Sequence, residues 1–345
     1  MRSVQGRCLC IQRSQDFSFN KSKSVTRNDV ARLANVSPSV VSYVLNNTRN
    51  VSPEKKQRIL DAIKELNYIP NAAARGLKVQ KTFHIAYICD DVKNGHFSEM
   101  LQELEKISYK CGYFISLCTT RADESYIDEV LGMRFDGIII TSMRLSTHQI
   151  NRLSVVPTVM LMNRDASEFD PRISKLIVDI YGGERSAMRY LEAIGRKRIA
   201  FVECIREMPI DKDVIDYRKA AYLDALNERG IEPIVLSSLD YDSLYHKVTK
   251  MMRSSEAPDA FVCHDDNHAI VVSGACKKAG KSIPDEVTIV GYDGISMLKY
   301  QSVPISSVEI PRSTMAHKAM HMLLAMIEKN ETHTEYIDTS LMIRN

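Results

Sequence analysis

The chain has 345 residues, 44% of them hydrophobic and 26% charged, with a formal net charge of +3. That length exceeds one ordinary hydrophobic core, so two or three domains are expected, and the composition is that of a globular protein. No run approaches the roughly 18 apolar residues of a membrane helix, and "CLCI" near the start is shorter than the about 7–15 residues of a signal-peptide core, so the expected location is cytoplasmic.

The charge is unevenly spread. Residues 1–24 carry five basic and one acidic residue, residues 25–82 carry ten and four, and the remainder sums to −7. A basic head on an acidic body points to a polyanionic partner for the head. Residues 1–24 show no periodicity and are expected to form a disordered extension. The next methionine after Met1 is Met100, so an internal start such as Val25 is one reading of that extension.

From Thr26 the pattern turns helical, with Val30, Leu33 and Ala34 on one face. "NVSP" then breaks it: Asn35 tolerates the left-handed conformation of a tight turn, Ser37 suits an N-cap and Pro38 the first helical position. The second helix, about 38–45, buries Val41, Val44 and Leu45 and turns Ser39, Ser42 and Tyr43 outward. A third begins with the same cap pattern, Ser52-Pro53-Glu54, uses Ile59, Ile63 and Leu66, and stops near Asn67 before Pro70. Residues 25–69 thus form a three-helix module with a helix-turn-helix at its front. In "PNAAARGLKVQK", Asn71 caps a segment too short to stay helical unaided, and residues 70–82 read as a hinge helix and linker.

From Phe83 the period changes. "FHIAYICDD", "YFISLC", "DGIIIT", "VVPTVMLMN", "SKLIVD", "RIAFVE", "EPIVLSS", "DAFVCHDD" and "VTIVGYD" read as buried strands separated by helices. This alternation predicts two α/β lobes with parallel sheets and helices on both faces. Ligands in such sheets sit beyond the strand C-termini, where Asp90, Asp91, Asn163, Asp179, His264, Asp265 and Asp293 lie. The eight cysteines, Cys8, Cys10, Cys89, Cys111, Cys118, Cys204, Cys263 and Cys276, form no CxxC unit and read as free thiols. His264 and His268 have an i, i+4 spacing but lack a fuller ligand set for zinc, and no metal or cofactor is expected. There is no GxSxG, no GxGxxG after a strand and no P-loop, so no enzyme is expected.

The head "VTRNDVARLANVSPSVVSYVLNN…VSPEKKQRILDAIKELNYIPNAAARGLK" resembles the bacterial LacI/GalR family of transcription factors. The likeness runs through "IAYICDDVKNGHFSEML", "RFDGIIIT", "VMLMNRD", "IGRKRIAFV", "DYRKAAYLDAL", "IPDEVTIVGYDGI" and "LMIR", covering about residues 25–345. It implies a DNA-binding head, a hinge helix and a core at 83–345 similar to type I periplasmic-binding proteins. The N-lobe is expected at about 83–180 and 311–333, and the C-lobe at about 181–308 and 335–345.

By the resemblance, Pro38, Ser39 and Tyr43 read bases, and Thr26, Ser37, Ser42 and Asn46 hold phosphates of a pseudo-palindromic operator. In the hinge, Asn71 and Ala74 contact DNA and Leu77 wedges into the minor groove. Tyr43 departs from the many relatives with Arg there, which reads guanine. The resemblance places a small-molecule effector, a sugar or sugar derivative first and a purine-like corepressor second, against Asp91, His96, Phe97, Asn163, Arg218, Tyr241, His264, Asp265 and Asp293. His264 departs from the family's usual Asn. The leucine-rich tail of the lactose repressor is missing after "LMIRN", so the implied assembly is a homodimer, with no membrane partner. An extracellular, non-DNA-binding solute-binding protein is the competing reading; it predicts a signal peptide and no basic head.

Overall fold

The computed structural model describes residues 25–46, 48–69, 81–121, 123, 125–162, 166–205 and 215–344. The chain divides into two units, Met1–Val79 and Gln80–Asn345. The first holds helices α1 (Arg27–Leu33), α2 (Pro38–Asn46) and α3 (Pro53–Glu65). Thr26 starts α1 with a capping box: its side chain accepts from the Asp29 amide, and the Asp29 carboxylate accepts from the Thr26 amide at 2.9 Å. The turn into α2 passes through Asn35 at φ 51° and is closed by Val36 N–H donating to the Ala31 carbonyl at 3.0 Å. Pro53 opens α3 as expected, but Ser52 makes no side-chain cap bond.

Val30, Ala31, Ala34, Val41, Ile59 and Ala62 form the core of this unit, with Val44, Leu45, Ile63 and Leu66 packed around them. Leu33 is 46% exposed, against expectation. At about 100° per residue, the buried face of α1 centres between Val30 and Ala31, and Leu33 falls roughly a quarter-turn outside it.

The second unit holds β1 (His84–Cys89), α4 (Gly95–Lys110), β2 (Phe114–Thr119), α5 (Tyr126–Gly132), β3 (Gly137–Thr141), α6 (Thr147–Arg152), β4 (Thr158–Met162) and β5 (Ile173–Val178). It continues with α7 (Ile180–Ala193), β6 (Ile199–Val202), α8 (Tyr217–Asn227), β7 (Ile234–Leu236), α9 (Tyr241–Met251), β8 (Ala260–Cys263), α10 (Asp266–Lys278) and β9 (Thr288–Asp293). It ends with β10 (Ser306–Glu309), α11 (Arg312–Lys329), β11 (Thr334–Ile337) and β12 (Ser340–Met342). One sheet has the order β11-β5-β4-β3-β1-β2 and the other β12-β10-β9-β8-β6-β7. Strands such as β9 are buried along their whole length, which is why they read as unbroken apolar runs.

Three findings depart from the expectation. Strands β10, β11 and β12 were not legible. Residues 335–337, allotted to the C-lobe, lie in the first sheet, because β11 pairs in parallel with β5. The second sheet is not wholly parallel, since β12 runs antiparallel to β10. After α11 the chain returns to the edge of the first sheet before crossing to the second. Together with the passages at 178–180 and 309–312, this makes three strands of chain between the lobes. One continuous apolar cluster, from Ile85 and Val159 to Val290 and Val308, runs through both.

Candidate functional site

In the head, Thr26, Ser37, Pro38, Ser39 and Asn46 are exposed, while Ser42 and Tyr43 are half-buried. The Ser42 hydroxyl accepts from Arg27 Nη1 at 2.8 Å, which leaves its own O–H free to donate. Tyr43 is not simply turned outward: the Arg49 guanidinium lies 4.9 Å from its ring centroid. Asn71, Ala74 and Leu77 lie outside the described residues.

In the core, a cavity of about 210 Å³ opens between the ends of the two sheets. It brings together Asp91, His96, Phe97, Arg218, Tyr241, His264, Asp265 and Asp293. Asn163 lies outside the described residues. Asp179 does not line it: its side chain accepts from the Gly182 amide at 2.8 Å as the N-cap of α7. Asp90 lines it, but its carboxylate is spent on fold, accepting from the Thr120 and Ser142 hydroxyls and from the Met143 amide at 2.8 Å.

Asp293 and Arg218 stand at the centre. Arg218 Nη2 donates to Asp293 Oδ1 at 3.3 Å, and the guanidinium lies 4.2 Å from the Tyr292 ring centroid. Burial works against the Arg218 charge, but the neighbouring carboxylates, Asp293 first and Asp216 after it, outweigh burial and keep the group protonated. Asp293 sits at φ 96°, a region that costs a non-glycine residue about 1–3 kcal/mol. The loop after it is clamped by Arg312, which donates to the carbonyls of Asp293 and Gly294. Asp266 adds to the clamp, accepting from the Ile295 amide at 2.7 Å and the Ser307 hydroxyl at 2.6 Å.

His96 Nδ1 is 3.9 Å from Asp293 and has no hydrogen-bond partner among the described residues. Burial lowers its pKa, so this imidazole is neutral. His268 is fully engaged: Nε2 accepts from the Ile205 amide at 3.1 Å and Nδ1 lies 2.6 Å from Asp265. With Nε2 accepting, the proton sits on Nδ1, so His268 donates to Asp265. Burial alone raises the Asp265 carboxyl, but His268 and His264 outweigh it and hold it well below the usual carboxylate range. With both nitrogens of His268 occupied, the "HDDNH" motif is a hydrogen-bonded pair. Among the described residues no group of three ligating side chains forms a metal site.

His264 Nδ1 is 3.5 Å from Asp216, the N-cap of α8. Burial pushes the imidazole down, but Cys204 and Asp216 oppose it and hold the group at about 10, with a positive charge facing the cleft. Sequence reasoning missed Asp216 and Cys204 as cleft residues and weighed His268 only as a metal ligand. Asp216 sits two residues before Arg218 in the "DYR" segment, which is the one signal that pointed to it.

Direct contacts cross the cleft: Asn94 donates to Asp265 at 3.2 Å and Glu99 accepts from the Ser296 amide at 2.8 Å. Arg312, at the start of α11 and paired with Glu99 at 2.8 Å, reaches across to the Gly294 carbonyl at 2.7 Å. Ligand groups entering here meet donors and acceptors from both lobes, on aromatic walls made by Phe97 and Tyr241.

Comparison with known proteins places both units. A family described as bacterial regulatory proteins, lacI family, matches residues 26–71, and a periplasmic binding protein-like domain matches residues 188–345. An HTH-type transcriptional repressor PurR of Vibrio atlanticus is 29% identical over 333 residues, covering 91% of this chain and 98% of that protein. The protein of the same name from Histophilus somni is 28% identical over 321 residues, covering 89% and 94%. Among solved structures, a lac repressor dimer bound to operator and an anti-inducer superposes with a TM-score of 0.77 at 21% identity, over 93% of this chain and 98% of that one. A complex of the regulator CelR with cellobiose gives 0.63 at 23% identity, over 93% and 99%. The chain thus joins a lacI-family head at residues 26–71 to a periplasmic-binding-protein-like domain, and it is similar to PurR repressors along about nine-tenths of its length.

Proposed function

We propose that the chain is a sequence-specific DNA-binding repressor, acting as a cytoplasmic homodimer, whose operator affinity is set by a small molecule bound in the core cleft. The observation that carries this reading is the coexistence of a helix-turn-helix exposing Ser37, Pro38 and Ser39 with a cleft centred on Arg218 and Asp293. Its hydroxyl-binding chemistry, a carboxylate to accept and a guanidinium to donate, suits a sugar or sugar derivative. A purine-like corepressor is the second reading, favoured by the aromatic walls of Phe97 and Tyr241. Either ligand acts by binding two arrangements of the lobes unequally, with a coupling of about 1–3 kcal/mol. The contacts Asn94–Asp265 and Glu99–Ser296 are the ones such a change would make or break.

The test is a thermal-shift panel of sugars, sugar phosphates and nucleobases on the purified protein, followed by operator selection from a randomised duplex library. A ligand at 100 times its Kd stabilises by about 2.7 kcal/mol. A chain that selects no duplex sequence overturns the repressor reading; a panel with no hit overturns the two ligand classes named.

Two substitutions sharpen the reading of the head. Tyr43→Arg is expected to introduce a guanine preference at one position of each half-site, worth about 1–3 kcal/mol against other bases, because arginine makes two hydrogen bonds to guanine and tyrosine cannot. An unchanged preference in the selected library would remove Tyr43 from the reading set. Leu77→Ala is expected to weaken operator binding by about 2 kcal/mol and leave effector affinity unchanged, since only the minor-groove wedge is lost. Equal loss of both affinities would refute that assignment.

A further inference from the structure

Helix α7 turns an apolar face inward through Ile180, Gly183, Ala187, Met188 and Leu191, and Glu184 lies on that same face with no exposed surface. Neither of its carboxyl oxygens has a hydrogen-bond partner among the described residues. The groups around it come from three elements. Asp216 and Arg218 stand at the start of α8, Cys263 and His264 at the end of β8, and Tyr292 on β9. Arg218 spends one Nη2 bond on Asp293 at 3.3 Å, while its buried Nε–H has no partner among the described residues. An unused donor and an unused carboxyl are therefore both buried, and near enough for their charges to interact.

We infer that Glu184 is a proton-gated positioning residue for Arg218, uncharged while the guanidinium serves Asp293 and the cleft, and drawing the guanidinium onto itself once it ionises. A buried carboxylate without hydrogen bonds is costly, whereas a carboxylic acid in the same place is not. Burial pushes the Glu184 carboxyl up, Arg218 and His264 pull it down, Asp216 pushes it up again, and the balance stands at about 8. Ionisation releases one proton to solvent and creates a second carboxylate competing with Asp293 for Arg218, whose Nε–H is the donor not yet used. The consequence for effector control rests on the reading above that Arg218 contacts the effector, and predicts weaker capture above pH 8. The charge state of Glu184 does not rest on it, so the test uses the full chain without effector.

Thermal unfolding of wild type and Glu184→Gln is compared from pH 6 to 9.5. A carboxyl whose folded pKa is raised favours the folded state at low pH, and that contribution is lost as pH rises from its unfolded range through about 8. Wild type is therefore expected to fall progressively below the Gln variant between pH 6 and 8 and to run parallel above 9, since all other groups titrate in both proteins. Crystals of wild type at pH 6.5 and 9.5 supply a measurement that needs no variant. Arg218 is expected on Asp293 at the lower pH and on Glu184 at the higher. Parallel melting curves over the whole range, or an Arg218 that stays on Asp293 at pH 9.5, would overturn the inference.

Discussion

Arg218→Ala is expected to cost the free protein about 3–5 kcal/mol of stability, the usual result of removing one partner of a buried ion pair. Asp293 is 4% exposed and is held at a strained φ of 96° by Arg312 and Asp266, so it cannot turn to water when its partner goes. His96, 3.9 Å away, is kept neutral by burial and does not replace the guanidinium. The same substitution is expected to abolish the ligand-induced stabilisation of about 2.7 kcal/mol at 100 times Kd. Urea unfolding with and without the ligand found in the panel reads both effects. Asp293→Asn in the Arg218→Ala background is expected to restore part of the stability but none of the ligand response, because it removes the orphan charge without rebuilding the site. Unchanged stability in the single variant would mean that the pair contributes nothing to holding the loop after β9.

Gly183→Ala is expected to destabilise by about 2–4 kcal/mol, combining overpacking with two hydrogen bonds put at risk. A methyl group there would stand 2.2 Å from Thr339 Oγ1, 2.4 Å from the Tyr292 hydroxyl and 2.8 Å from Val308 Cγ1. Neither hydroxyl is free to retreat. Tyr292 donates to the Ile180 carbonyl and Thr339 to the Asp179 carbonyl, each at 2.9 Å. Relief requires α7 to lift from β9 and β10, which shifts Tyr292 beneath Arg218. A drop in melting temperature together with weakened ligand binding is the expected pair of results. A variant as stable as the parent would show that α7 is not tightly seated on the second sheet.

Much of the architecture was legible because local physics and tertiary packing agree. Thr26 with Asp29, the left-handed Asn35, Pro38 and Pro53 mark helix boundaries through bonds made within a few residues. Strands β1 to β9 announced themselves because a parallel strand covered on both faces must be apolar throughout. The same rule failed for β11 and β12. These are short edge strands with exposed positions such as Tyr336, and their place is decided by pairing with β5 and β10, far away in the chain.

The cleft divides along the same line. The sequence by itself determined that carboxylates would follow the strands and that Arg218 and Asp293 stand in segments of a recognisable family. Only the tertiary structure decided which of them face the cavity. Asp179 and Asp90 are spent on helix and loop, whereas Asp216 and His268 join the site. Nothing in "GGERSA" marks Glu184 as buried, whereas Leu33 reads as core; where each helix comes to rest decides both. Periodicity reports which residues share a face, but the free energy of a charge or a methyl group depends on what that face meets, and that is fixed by residues distant in the chain.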